Sequence, residues 1–230
     1  MRSKDRKHEN SVIEVGTQLR LHVAEQLQSR DTQLNELKKT VAALQEDIRN
    51  LNRLFPFHAP FDTNGLLYWI GTQGGRAAYQ NPHVAGYVVA SPSSVNTGSV
   101  ADFVGRAFTN SHTNNAPFSW MAVDLGAHRS IMLTHYCLRT RVEYNSSHSI
   151  RSWEVEGGSP DIPYELISKH TNDTTLSASR TEACWKVRES KYYRHFRLKQ
   201  TGPNSDNLNF LINSGIEFYG HVRIHKINTF

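Results

Sequence analysis

The apolar positions along this chain keep two different periods. From residue 9 to 54 there is no proline and a single glycine, Gly16, and Leu, Gln, Glu, Lys and Arg predominate. All of these lose little freedom on entering a helix. The apolar side chains fall on a seven-residue repeat. One seam position carries Ile13, Leu27, Leu34, Val41, Ile48 and Phe55; the other, three residues on, carries Val23, Leu37, Leu44 and Leu51. Two apolar positions per heptad make the narrow stripe of a coiled coil, and β-branched residues facing leucine suit a parallel pair. Gly16, Arg20 and Arg30 interrupt the seam upstream, so residues 27–55 are expected to coil, with a second copy or with a different helix. Pro56 and Pro60 forbid further helix and predict a short stiff linker over 56–60.

Beyond residue 60 the period drops to two. Met121, Val123 and Leu125 alternate with polar neighbours, as do Trp153 and Val155 between Glu154 and Glu156, Phe196 and Leu198 among basic residues, and Ile216 and Phe218 around Glu217. Each run predicts a strand with one buried face. By the same alternation Tyr193, His195, Arg197 and Lys199 share an outward face. Turn-forming clusters at 74–75, 145–147, 157–161 and 202–206 separate the runs, and 71–75 (GTQGG) reads as a tight turn between strands. Many short strands punctuated this way predict a sandwich or barrel. The expected domains are a helical arm at 1–55, the linker, and a β-sandwich at 61–230.

Composition narrows the function classes. The 230 residues are 38% hydrophobic and 20% charged with a formal net charge of +5, ordinary values for a soluble globular protein. No apolar run is long enough to span a membrane, and the charged N-terminus is followed by no apolar stretch of the secretory kind. The only cysteines, Cys137 and Cys184, sit in apolar or aromatic runs and read as free buried thiols, which suits a reducing compartment and a cytoplasmic protein.

Chemistry is sparse. Twelve histidines are dispersed, and no His-Glu-x-x-His or Cys-x-x-Cys spacing accompanies them, so no metal or other cofactor is expected. His221 and His225 on one strand would stand about 13 Å apart, too far for one ion. No Gly-x-Ser-x-Gly is present, the glycine-rich segment lacks the Lys-Ser/Thr of a phosphate loop, and neither Asp124 nor Asp161 has a partner carboxylate. The densest basic stretch holds Lys186, Arg188, Lys191, Arg194, Arg197 and Lys199 with Tyr192, Tyr193 and Phe196 interleaved. Such a strand can stack on and neutralise a single nucleic-acid strand, but a solvated sheet face is the commoner meaning.

Seven segments in order resemble the galactose-binding-like β-sandwich superfamily. They are FDTNGLLYWIGT at 61–72, YQNP at 79–82, SWMAVDLG at 119–126, THYCLR at 134–139, IRSWEVEG at 150–157, YRHFRLKQTGPN at 193–204 and GIEFYG at 215–220. The nearest likeness is to coagulation-factor type C (discoidin) domains of intracellular proteins that also carry BTB or HECT ubiquitin-ligase modules. The resemblance implies an all-β jelly-roll, with Trp153 filling its centre and Gly220 closing its last strand. Extracellular discoidin domains carry a cysteine near each end; this chain has none there, which fits the intracellular branch. The resemblance further implies ligand-binding loops at one end of the sandwich, with Arg76, Tyr79, His112, Arg139, Arg141, His148, Asn204 and Asp206 as candidate contacts. Together these readings describe a non-catalytic adaptor or scaffold, oligomerised by its arm and binding a ubiquitin-pathway or cytoskeletal protein. One alternative is a structural component of a cytoskeletal assembly; the other is a lectin, with Tyr79 and Tyr144 available to stack on a sugar ring.

Overall fold

The computed structural model describes residues 2–141, 148–188 and 190–225; for 2–14, 43 and 46–51 it gives the backbone path alone. The chain forms two compact units, Met1–Asn50 and Leu51–Phe230.

The first unit is one helix, α1 (Arg2–Leu51). The seam residues Leu27, Leu34, Leu37, Val41 and Leu44 are 44–60% exposed, an apolar stripe open to solvent. The side chains of Ile48 and Leu51 lie outside the described residues. The heptad extrapolates too far, for the helix stops at Leu51 rather than at Phe55. Residues Asn52–Phe55 form strand β1, antiparallel to the last strand with Phe55 opposite Gly220. Pro56 disfavours a helical Phe55, and extended backbone lets Phe55 enter the core edge-on to Trp69, with ring centroids 5.5 Å apart. Within the proline-containing segment 56–60, Phe57 stacks on His135 (4.6 Å) and meets Tyr219 edge-on.

The second unit is an antiparallel sandwich. After β1 come α2 (Leu66–Gly71), β2 (Val89–Pro92), a 3-10 turn (Val100–Val104), β3 (Trp120–Asp124), β4 (Arg129–Arg139) and β5 (Trp153–Ser159). They are followed by β6 (Ile162–His170), β7 (Glu182–Lys186), β8 (His195–Gln200) and β9 (Gly215–Ile224). One sheet has the order β1-β9-β4-β7, the other β2-β3-β8-β5-β6. The core between them holds Trp153, Val155, Val123, Phe196, Leu198, Tyr136, Ile216 and Phe218, each at most 2% exposed, as the period of two requires. Segment 71–75 is not a turn between strands. It closes α2, with the amides of Gly75, Arg76 and Ala77 donating to the Thr72 carbonyl. Gly220 does not close β9; it lies inside it, facing a bulge between Leu133 and His135. Its φ of +148° and a Cβ position only 2.1 Å from the Met132 carbonyl oxygen leave room for no side chain.

The outer face of the first sheet is where simple alternation misleads. Cys137, Arg139, Glu217 and Tyr219 point away from the core, yet all are buried. A second layer covers them: Phe57 and Phe61 pack on Cys137, Cys184 and Tyr219. Cys137 and Cys184 stand directly opposite each other on β4 and β7, Cα atoms 4.0 Å apart, and form a disulfide, so they are not free thiols. Sequence spacing gave no hint of this, because the pairing depends on strand register.

The outer face of the second sheet is an ion-pair ladder. Glu154 lies between Lys169 (3.1 Å) and Lys199 (4.0 Å), Arg197 pairs with Glu156, and Arg194 grips Asp124 through two 2.6 Å bonds. Lys191 meets Glu165 at 2.8 Å. Four of the six residues in the basic stretch thus face carboxylates, which leaves little positive field for a nucleic-acid backbone. Tyr193 does not join this face; it is buried, and its hydroxyl donates to Glu165.

Candidate functional site: the loop end of the sandwich

β4 delivers Arg139, Thr140 and Arg141 to one end of the sandwich, where the loops before β3, before β5 and before β9 converge. Arg141 donates to Asn110 Oδ1 (2.8 Å), and its Nη2 lies 2.8 Å from His148 Nδ1. The same ring nitrogen is 2.9 Å from Asp206 Oδ2. One nitrogen facing both a donor and an acceptor serves one of them at a time. Asn204 is buried and turns its loop by accepting from the amides of Asp206 (3.0 Å) and Leu208 (3.1 Å), which aims Asp206 at His148. Phe210, half-buried, lies edge-on to His112 at 5.1 Å and 6.4 Å from the His148 ring. His112 is fixed by bridges to Thr97 and Ile212.

Five of the eight sequence candidates, His112, Arg141, His148, Asn204 and Asp206, therefore meet at one place. Phe210 and Asn110 belong with them and were missed. Phe210, the aromatic that ends the mostly polar run 201–209, was the available signal. Tyr144 and the turn cluster at 145–147 lie outside the described residues. The other three candidates sit elsewhere. Arg76 is exposed on the turn after α2, its Nε donating to the Gln73 carbonyl (3.0 Å). Arg139 is buried, paired with Glu182 at 2.6 Å and sandwiched by Phe61 and Phe108. Tyr79 stacks on Tyr68 at 5.6 Å, and burial pushes its hydroxyl up to about 12. Arg139 and Tyr79 border Glu217, whose carboxylate accepts from the amides of Leu67 (2.7 Å), Tyr68 (3.1 Å) and Phe218 (3.0 Å), with Arg106 3.5 Å away. This arrangement locks α2 onto β9 and is structural.

A second polar cluster closes the β6–β7 side. Trp153 Nε1 donates to Tyr136 Oη (3.1 Å); His170 Nε2 lies 2.9 Å from that oxygen and 3.0 Å from Ser168 Oγ. His170 Nδ1 lies 2.9 Å from Asp173 Oδ2, which also accepts from Trp185 Nε1 (3.0 Å). Ser168, His170 and Asp173 have the spacing of a nucleophile triad, but Nε2 is shared with Tyr136 and the imidazole is stacked on Trp153 at 4.2 Å. The cluster joins the two sheets. Burial would raise Asp173, but hydrogen bonds from Thr175, His170 and Trp185 outweigh it and hold the carboxyl below its ordinary range. Asp173→Asn keeps one acceptor oxygen and loses a partner, an expected cost of about 1–2 kcal/mol in urea unfolding.

Among the described residues no group of three His, Cys, Asp or Glu side chains converges to hold a metal, and no helix is long and apolar enough to cross a membrane. What the loop end brings together is one aromatic ring beside two histidines, with Arg141, Asn110 and Asp206 hydrogen-bonded in the same cluster.

No family model matches the chain. The same fold is seen in CBM32-3 from a family 31 glycoside hydrolase of Clostridium perfringens, with a TM-score of 0.50 and 13% identity over 59% of this chain and 92% of that one. The second unit thus has the all-β sandwich fold of the galactose-binding type. In sequence the chain is similar to the E3 ubiquitin-protein ligase Ufd4 of Drosophila melanogaster, 32% identical over 179 residues, and to the E3 ubiquitin-protein ligase hecd-1 of Caenorhabditis elegans, 32% identical over 170. The matches take in 74% and 70% of this chain but only 6% of each ligase.

Proposed function

We propose that this chain is a non-catalytic adaptor of the ubiquitin pathway, acting in the cytoplasm, whose sandwich binds a protein partner through the loop end built around Phe210. The grouping of His112 and His148 beside that ring, with Arg141 and Asp206 on His148, carries the reading: it supplies donors, acceptors and an apolar edge. The similarity to a small region of two large ubiquitin ligases supports a module that recognises and leaves catalysis to others. Phe210→Ala and Arg141→Ala should each weaken partner capture from cytoplasmic lysate without unfolding the sandwich. Equal capture by these variants would rule the loop end out.

The helix supplies the second half of the proposal. Its open seam at Leu27–Leu44 suits self-association, which presents two sandwiches and raises avidity without any new contact. Leu37→Asp with Leu44→Asp should halve the mass seen in light scattering while leaving the sandwich folded. An unchanged mass would remove the coiled coil from the account.

One observation favours a sugar instead. An aromatic side chain beside His112 and His148 suits a polyol with one apolar face. Capture abolished by free galactose or another monosaccharide would replace the protein-binding reading with this one.

A further inference from the structure

A second pocket lies well apart from the loop end, on the side of the sandwich covered by α2. It has a volume of about 200 Å³ and is lined by Trp69, Gln73, Gly74, Arg76, Tyr87 and Arg129. No carboxylate lines it. Two guanidinium groups do, and the available hydrogen-bonding atoms are mostly donors. Arg129 spends Nε on the Leu125 carbonyl (2.7 Å) and Nη2 on the Tyr87 carbonyl; no protein partner holds its Nη1 among the described residues. Arg76 uses only Nε, on the Gln73 carbonyl. Trp69 Nε1 is buried and has no hydrogen-bond partner among the described residues. A buried indole N–H without an acceptor costs free energy that a bound acceptor would recover. The nearest carboxylate acting on Arg129 is Asp124, already held in two bonds by Arg194. The walls are aromatic or apolar through Trp69, Tyr87 and Ile70.

We infer that this pocket binds an oxyanion carried on an apolar or aromatic group, with Arg76 and Arg129 engaging the charge and Trp69 supplying a hydrogen bond. A planar guanidinium accepts carboxylate and phosphate alike, so the source is either an acidic group or a phosphorylated one. The site is independent of the loop end and of whatever binds there.

The test is a titration of the full chain followed through the indole N–H resonance of Trp69, assigned by triple-resonance spectroscopy. The probes are benzoate, phenyl phosphate and, as the uncharged isostere, benzamide. The expected result is a saturable shift with at least one of the two anions and little response to benzamide. Arg76→Ala, an exposed substitution, should weaken the anion about tenfold, as loss of a charge-assisted hydrogen bond implies. The tighter anion identifies the source as carboxylate or phosphate. The inference is overturned if neither anion shifts Trp69 saturably, if benzamide acts as well as the anions, or if Arg76→Ala binds with unchanged affinity.

Discussion

Replacing Glu217 by alanine is expected to destabilise the sandwich by about 3–5 kcal/mol, the usual cost of removing one member of a buried charged network. The substitution strands the amides of Leu67, Tyr68 and Phe218 and leaves Arg106, whose Nη1 is already without a hydrogen bond, beside an empty space. Urea unfolding measures the loss; a change under 1 kcal/mol, roughly one ordinary hydrogen bond, would show that the carboxylate does not hold α2. The same residue gives stability an unusual pH dependence. Burial raises Glu217 from the ordinary 4.5 to about 7, against the pull of its backbone donors and Arg106. Between those values the folded chain holds a proton that the unfolded chain releases. Its contribution is therefore full below pH 4.5 and lost as pH rises through 7. His135 works the other way, since burial and Lys186 lower it and its folded form resists protonation in acid. The informative quantity is thus the difference between the native chain and Glu217→Gln at pH 5 and pH 8. The native chain should lose stability relative to the variant as pH rises. A constant difference would mean Glu217 is ionised throughout.

Reduction of the Cys137–Cys184 disulfide is expected to cost about 2–4 kcal/mol, because the bond closes a segment of 47 residues whose unfolded freedom it restricts. Thermal unfolding with and without reductant reads the effect. The Cys137→Ala, Cys184→Ala chain should unfold at one temperature in both conditions. If the native chain is equally stable with and without reductant, the bond contributes nothing to the fold. This result bears directly on the proposed compartment. The cytoplasm keeps most thiols reduced, so a cytoplasmic adaptor must fold on Phe57, Phe61, Tyr219 and the main core with the two thiols simply in contact. Thiol counting by mass spectrometry on protein taken directly from cells distinguishes the two states.

The strands were legible where one face meets the core and the other meets water. Phe196 and Leu198, Trp153 and Val155, and Ile216 and Phe218 all lie where a period of two puts them. Legibility failed where a third layer intervenes. Glu217, Cys137 and Tyr219 obey the alternation, but a covering segment far away in sequence buries them, and no local pattern announces that. The short helix α2 escaped because six residues, LLYWIG, are too few to display a helical period. Strand β1 was hidden by a coincidence: Phe55 continues the heptad in sequence while serving the sheet in space. At the loop end the residue types were readable but their grouping was not. Arg141, His148 and Asp206 meet only because β4 and the turn made by Asn204 bring them together. Arg139 looked the same in sequence and proved to be buried against Phe61 and Phe108.

The measurement that most directly tests the central claim is quantitative capture from cytoplasmic lysate on the full chain and on its Phe210→Ala variant, each with and without excess galactose. The account predicts a defined set of proteins retained by the native chain, indifferent to galactose and lost with Phe210→Ala. Retention of the same set by the variant would contradict the claim that this end of the sandwich is its recognition surface.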